Sequence, residues 1–407
     1  FSAIGDSARG SVLQSGGMWN GGGMNLHIGN AAGSDGTYQL TGGILTNCGT
    51  IYVGASGTGA FELGGSGSVE GSGTSTLIGH ANGATGTVTQ AGGTWDNNSR
   101  DLVVGNQAGS KGTYQLSGGT LTNCNTLYVG SSGNGMFELS ADGVVKGPAA
   151  NTLIGYGNGA TGTVTQTGGT WDNNAKDLVV GNQTGAVGSY QLSGGVLTNC
   201  NMIYIGNNGN GTFELSTNGM VTGSPAWKRT TIGESAGSAG LFVQTGGTFN
   251  NADNHRIDVG NNGTGTYQLS GGAVTNLRYL SLGRSGGTGT VHIIGGDASI
   301  RVEEYSIHNV AAKLRIEPDD GGISVINASG NIALNGTLEI DFGRWDELSY
   351  PNSLILIDYE GGRTGTFAAT TVLTEDWSAE VVYDASGGQV KLANIAGPPT
   401  GTVLSVR

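Results

Sequence analysis

The feature that most constrains this chain is a period. An apolar residue two places after a glycine recurs at Val12, Tyr38, Phe61, Val88, Tyr114, Phe137, Val164, Tyr190, Phe213, Phe242, Tyr267 and Val291, in steps of 23 to 29 residues. Three steps make a larger repeat: Tyr38, Tyr114, Tyr190 and Tyr267 stand 76, 76 and 77 residues apart. The stretch GTVTQAGGTWDNNSRDLVVG (Gly86 to Gly105) returns almost letter for letter as GTVTQTGGTWDNNAKDLVVG (Gly162 to Gly181). A fixed period of this size means a solenoid, a propeller or an array. The units are too short for four-stranded propeller blades. No stretch spaces its apolar residues as a helix does, and glycine interrupts every run. What remains is an all-β parallel β-helix, or β-solenoid. It has one coil per unit, two or three short strands per coil, and glycine at corners that need positive φ.

The alternation within each unit sets the faces. Before the closing glycine stand Ile4, Ile28, Val53, Ile78, Val104, Val129, Ile154, Val180, Ile205, Ile232, Val259 and Leu282, all aliphatic and therefore inward. Two places earlier the residue is again mostly apolar, with Thr76, Thr152 and Thr230 as exceptions. The residue between must point outward, because strand side chains alternate. In seven successive coils that outward residue is Tyr52, Leu77, Val103, Tyr128, Leu153, Val179 and Tyr204; it then turns polar at Thr231, Asp258 and Ser281. A contiguous outward apolar stripe of this kind suggests a contact, although β-propensity alone also selects Tyr, Leu and Val. Coils stack ~4.8 Å apart, so about 12 to 13 of them make a rod on the order of 58 Å long.

Gly reaches 80 of 407 residues, a level that would suggest disorder without these regular apolar positions. The net charge is −13 with only 17 Lys and Arg, so the basic face that nucleic-acid binding needs is missing. No apolar run is long enough for a membrane span. The chain opens at Phe1 without a leader-like segment, as a processed or trimmed chain would. Richness in Thr, Asn, Gly and Ser with few Lys accompanies secreted surface proteins. Cys48, Cys124 and Cys200 repeat at one position, three coils or ~14 Å apart. A disulfide needs Cα atoms within about 7 Å, so none can pair within the chain. Buried filler is the ordinary role; an intermolecular bond is the alternative an odd count permits.

In order along the chain, residues 1 to 310 read as the solenoid array, 311 to 395 as a C-terminal β cap, and 396 to 407 as a Pro-broken extended tail strand. Within the cap, Gly361-Gly362 and Gly387-Gly388 read as hairpin-like turns. The GTYQLSGG…LYVG grammar, with the C-terminal run NGTLEIDF…LILIDYEGGRTGTF…VVYDASGGQVKL, resembles bacterial extracellular β-solenoids of the autotransporter-passenger type. The membrane barrel of that type has no counterpart among these residues. The resemblance implies a secreted or cell-surface location in a bacterium. The functions it implies are those of adhesins, sheath proteins and fibre subunits.

The polar clusters WDNNSRD (Trp95 to Asp101) and WDNNAKD (Trp171 to Asp177) are the best place to look for chemistry. A polysaccharide lyase or hydrolase would use Asp96 or Asp101 with Arg100, and Trp95 as a sugar platform. Glycosidic acid/base work wants two carboxylates about 5 to 9.5 Å apart, and the equivalent copies lie three coils apart. Asp and Asn at bends also satisfy turn backbones, and repetition favours that reading, since an active site is usually built once. Asn47, Asn97, Asn123, Asn173, Asn199 and Asn276 would stack as amides at the corner. The five histidines, His27, His80, His255, His292 and His308, have no ligand spacing, and nothing calls for a cofactor or a metal.

These observations point to a non-enzymatic extracellular structural protein, a homopolymer of head-to-tail solenoids. A monomeric adhesin binding surface polysaccharide is the alternative, and a polysaccharide-active enzyme the third reading. The chain starts in mid-coil at Ser2-Ala3-Ile4, and an uncovered coil exposes unpaired backbone. The tail residues Thr402, Val403, Leu404 and Val406 could supply a covering strand by β-addition.

Overall fold

The computed structural model describes residues 1–223, 229–345 and 350–398, all strand, turn or loop with no helix. The strands stack in parallel as a β-solenoid of about 13 turns. Each turn carries three short strands, and each lies in register on its counterpart one turn on. The first ladder begins Arg9–Gln14, Asp35–Leu40, Thr58–Leu63. The middle ladder begins Met18–Asn20, Ile44–Cys48, Ser68–Ser72. The closing ladder begins Ser2–Ile4, Leu26–Ile28, Ile51–Val53. In some turns the three merge, as in Thr85–Val104 and Lys111–Val129. Spatial register follows the sequence period: Tyr38 pairs with Phe61, Phe61 with Val88, and Val88 with Tyr114.

Glycine makes the corner after the closing ladder. Gly54 has φ +72°, and a Cβ there would sit 2.2 Å from the Thr85 carbonyl oxygen of the next turn. Gly86 meets the same corner from above, where a Cβ would lie 1.9 Å from the Val53 oxygen. Any side chain at either position would push two turns apart.

The core is filled by an exchange of volume between ladders. Tyr38 lies in the same turn as Leu45, Phe61 as Val69, and the small Val88 as Trp95; the set repeats as Tyr114/Leu121, Phe137/Val145 and Val164/Trp171, all buried. Trp therefore occurs where the first ladder leaves room. The rings touch in sequence: Tyr38 stacks on Phe61 at 5.0 Å, Phe61 meets Trp95 edge-on at 4.8 Å, and Trp95 meets Tyr114 at 6.0 Å. Such pairs add about 0.5–1.5 kcal/mol each beyond burial.

The core also contains polar side chains, and two recurring kinds are bonded to a partner one turn away. Gln14, Gln90, Gln166 and Gln244 occupy the inward position that is Leu in other turns. Each accepts from the tyrosine hydroxyl of the following turn: Tyr38 to Gln14, Tyr114 to Gln90 (2.5 Å), Tyr190 to Gln166 (2.6 Å) and Tyr267 to Gln244 (2.6 Å). The amide nitrogens donate to main-chain oxygens, as from Gln90 to Thr120 at 3.1 Å. Thr76 and Thr152, exceptions in an aliphatic row, donate to the buried Asn97 and Asn173 at 2.7 Å. Thr230 has His255 in that role, at 3.3 Å. Asn97 and Asn173 thus lie inside and do not join the corner amides. At the corner itself stand Asn47, Asn98, Asn123, Asn174, Asn199 and Asn276, with φ between +52° and +58°. Asn and Asp tolerate this region because short polar side chains bond locally.

Parallel pairing continues beyond residue 310. Lys313–Glu317, Thr337–Ile340 and Ala369–Val372 extend the first ladder. Gly361-Gly362 is a solenoid corner, not a hairpin, because the strand that follows, Arg363–Gly365, still finds a parallel partner in Ile332–Leu334. Gly387-Gly388 does turn a hairpin: Ser378–Asp384 pairs antiparallel with Gln389–Ala396, which pairs antiparallel with Ser353–Tyr359. Phe342, Trp345, Tyr350 and Trp377 plug the core there, with Phe342 stacked on Trp377 at 4.7 Å and Tyr350 edge-on to it at 4.8 Å.

Candidate functional site

The side chains of the repeated WDNN motifs fill the core and hold turns. Trp95 and Trp171 are fully buried and offer no platform to a sugar. Asp96 accepts from the Asn98 amide N–H and from the Asn123 side chain, both at 2.8 Å. Asp101 accepts from the Asn125 side chain at 2.8 Å and the Thr126 N–H at 3.1 Å. Asp172 and Asp177 repeat these roles with Asn199 and Asn201. The carboxylates hold turns, and Arg100 is exposed beside them. Next to Asp96 the middle ladder places Glu70, and a cavity of about 570 Å³ opens over the pair. The corresponding pair one larger repeat later is Lys146 and Asp172, so the acidic character is not repeated.

The cysteines are all buried and unbridged. Burial pushes the Cys48 thiol up to about 11 and raises those of Cys124 and Cys200 further. The histidines lie apart: His255 in the core, His292 on Glu317 at 3.0 Å, His308 beside Ser306, and His27 and His80 on the closing face. Among the described residues no three His, Cys, Asp or Glu side chains converge as a metal site would require.

The stripe on the closing face is only partly open. Val103, Leu153 and Val179 are 7%, 8% and 4% exposed, whereas Tyr52, Leu77, Tyr128 and Tyr204 are half-buried. In-register stacking explains this: Leu77 and Val103 lie between Tyr52 and Tyr128, and Leu153 and Val179 between Tyr128 and Tyr204. Short side chains sink between taller neighbours ~4.8 Å away. Beyond Tyr204 the same row reaches Asp258, whose side chain is fully covered. Arg256 Nε lies 3.3 Å from it, and Arg229 and Arg284 nitrogens at 3.8 Å. Burial pushes the Asp258 carboxyl up, against the pull of Arg256, Arg284 and Arg229.

At the N-terminal end, Ser2, Ala3 and Ile4 pair with Leu26, His27 and Ile28 on one side only. Phe1, Leu13, Met18 and Met24 stand 68%, 66%, 65% and 51% exposed around this first coil. Thr402, Val403, Leu404 and Val406 lie outside the described residues.

One concavity is marked by no motif in the sequence. A furrow of about 860 Å³ crosses four successive turns on the middle face. One wall is Thr275, Arg301, Asn327 and Asp358; the other is Arg278, Glu303, Ser329 and Glu360. The residues between them, Leu277, Val302, Ala328 and Tyr359, are buried with their side chains in the core, so peptide backbone forms the floor. Arg278 pairs with Glu303 at 3.5 Å and lies over the Tyr279 ring at 4.9 Å. The signal available in the sequence was the rise in charged residues after Val291. Their alignment across turns needed the register.

Neither a protein-family model nor a curated protein matches this chain.

Proposed function

We propose that this chain is a non-enzymatic extracellular structural protein, a subunit of a bacterial surface filament, sheath or layer in which solenoids meet head to tail. The observation that carries the reading is the far end of the stack, where two ladders stop without a further parallel neighbour among the described residues. An open parallel edge accepts another coil of the same pattern. Among the described residues, Arg363–Gly365 and Ala369–Val372 have one parallel partner each, while the hairpin covers Ser353–Tyr359. Two of the three ladders can therefore continue into a second copy, with the tail strand proposed for the third. Contacts between unlike ends that do not close build filaments. The use of the repeated Asp and Asn side chains in turns supports the non-enzymatic part of the reading.

Negative-stain microscopy of the full chain at rising concentration tests this. Filaments or ordered rows are expected, and removal of residues 397 to 407 is expected to shorten or abolish them. A full chain that stays monomeric at high concentration overturns the assembly. Unchanged filaments without the tail overturn only the tail strand's part in it.

A further inference from the structure

We propose that the furrow bounded by Arg301, Asp358, Arg278 and Glu360 binds a neutral, straight oligosaccharide laid along the solenoid axis. The assembly described above does not depend on this, and neither does this depend on the assembly. The first ground is geometric. In three of the four turns the walls are two residues apart in the chain, about 6.6 Å where it is extended, and the furrow advances ~4.8 Å per turn. It is a straight channel with hydrogen-bonding groups at regular intervals on both sides.

The second ground is what the floor cannot do. Its backbone groups are already bonded between turns: Ser329 N–H to the Val302 oxygen at 3.0 Å, Gly330 N–H to Glu303 at 2.7 Å, and Glu360 N–H to Ala328 at 3.0 Å. A peptide strand recognised by main-chain pairing needs a free edge, and there is none here. Recognition falls to the side-chain walls, which suits a polymer presenting hydroxyl groups along both of its rims.

The third ground is a contrast within the same turns. On the first ladder, outward charges are stapled to one another: Lys313 to Glu339 at 2.5 Å, Arg315 to Asp341 at 2.8 Å, and Arg344 to Glu317. In the furrow, the side chains of Arg301, Asp358 and Glu360 make no hydrogen bond or ion pair with any described residue, although all three are exposed. Charged side chains left unpaired on facing walls are available for bidentate bonds to vicinal hydroxyls. Charge then narrows the ligand. The walls carry two arginines against Glu303, Asp358 and Glu360, and the whole chain is at −13. A polyuronate or sulfated chain would be repelled, so the ligand is uncharged.

Calorimetric titration of the full chain with β-1,4-linked cellohexaose, mannohexaose and xylohexaose, and with hexagalacturonate, tests the assignment. At least one neutral hexasaccharide is expected to bind, more tightly than its own disaccharide. Binding should fall at least tenfold in Arg301→Ala/Asp358→Ala and in Ser329→Trp, which fills the channel from an exposed position. These changes touch no core contact, so thermal melts should stay at the parent's temperature and a lost signal will report the site. The proposal is overturned if none of the three neutral hexamers binds at millimolar concentration. Tighter binding of hexagalacturonate, or binding unmoved by both variants, overturns it equally.

Discussion

The turns up to Leu282 and those after it solve the same stacking problem in opposite places. In the earlier part, buried polar contacts join one turn to the next: Gln14 to Tyr38, Gln90 to Tyr114, Gln166 to Tyr190, Gln244 to Tyr267, and the Thr–Asn pairs beneath them. In the later part, short of the aromatic plug, the core is mainly aliphatic, with Ile293, Ile300, Leu314, Ile316, Leu338 and Ile340, and ion pairs stitch the turns from outside. The difference teaches what each device is for. A buried hydrogen bond adds only about 0.5–1.5 kcal/mol net, but an orphaned partner costs about 1–3 kcal/mol. Inside contacts therefore discriminate strongly between the right neighbouring turn and a wrong one. Outside ion pairs, worth about 0–1 kcal/mol, discriminate weakly. Where three turn types alternate, discrimination is needed; where the turns are alike in their apolar filling, it is not.

The comparison breaks outright if the early core tolerates a charge. Val104→Asp should cost on the order of 4 kcal/mol or more, because an unpaired carboxylate would sit at a fully buried site. Circular dichroism melts like the parent's would show that this row does not face the core. Next in size is the tyrosine hydroxyl. Tyr190→Phe strands Gln166 and should cost about 1–3 kcal/mol, while Gln166→Leu combined with Tyr190→Phe should recover most of that loss. A denaturant-unfolding cycle measures the coupling, and additive single effects would mean that the bond does not hold the turns together.

Acid sharpens the comparison at the one inside pair that titrates. Burial lowers His255 from 6.5 to about 3. The unfolded chain then binds a proton below about pH 6.5 that the folded chain refuses, so stability falls as pH drops from 6.5 towards 3. His255→Asn, which copies Asn97 and Asn173, should flatten that limb of the stability–pH curve. An unchanged limb would place the acid sensitivity elsewhere. The smallest effect belongs outside: Arg315→Ala should cost about 1 kcal/mol or less, and added salt should shrink the difference further. A larger, salt-independent loss would show that the later turns rely on this pair as the earlier ones rely on Gln166.

Much of this architecture was legible because strand alternation and the 76-residue spacing act locally and repeatedly. The inward row ending at Leu282 and the corner glycines follow from spacing alone. What spacing could not reveal were the contacts made one turn away. Thr76 stood out as an exception, but its partner Asn97 sits in a bend where every neighbour is also polar. Gln90 shared a position with Leu116 and gave no sign that Tyr114 would reach it. The partial shading of the stripe was hidden for a related reason. Alternation shows that Val103 points outward, but not that Tyr128 beside it is tall enough to shade it. The furrow is legible only once Arg301, Asn327 and Asp358 are known to be stacked neighbours.

The glutamine–tyrosine bond also governs how such a chain can change length over generations. Excising residues 88 to 163 joins the Phe61 turn to the Val164 turn, a junction equivalent to the one already made by Phe137 and Val164. Every surviving seam keeps its partner. Excising the Tyr114 turn alone would seat Phe137 on Val88 and leave Gln90 facing a ring with no hydroxyl. Recombination between copies is thus steered towards whole 76-residue cassettes, and rods descended from a common ancestor should differ in reach by multiples of about 14 Å, three turns at a time.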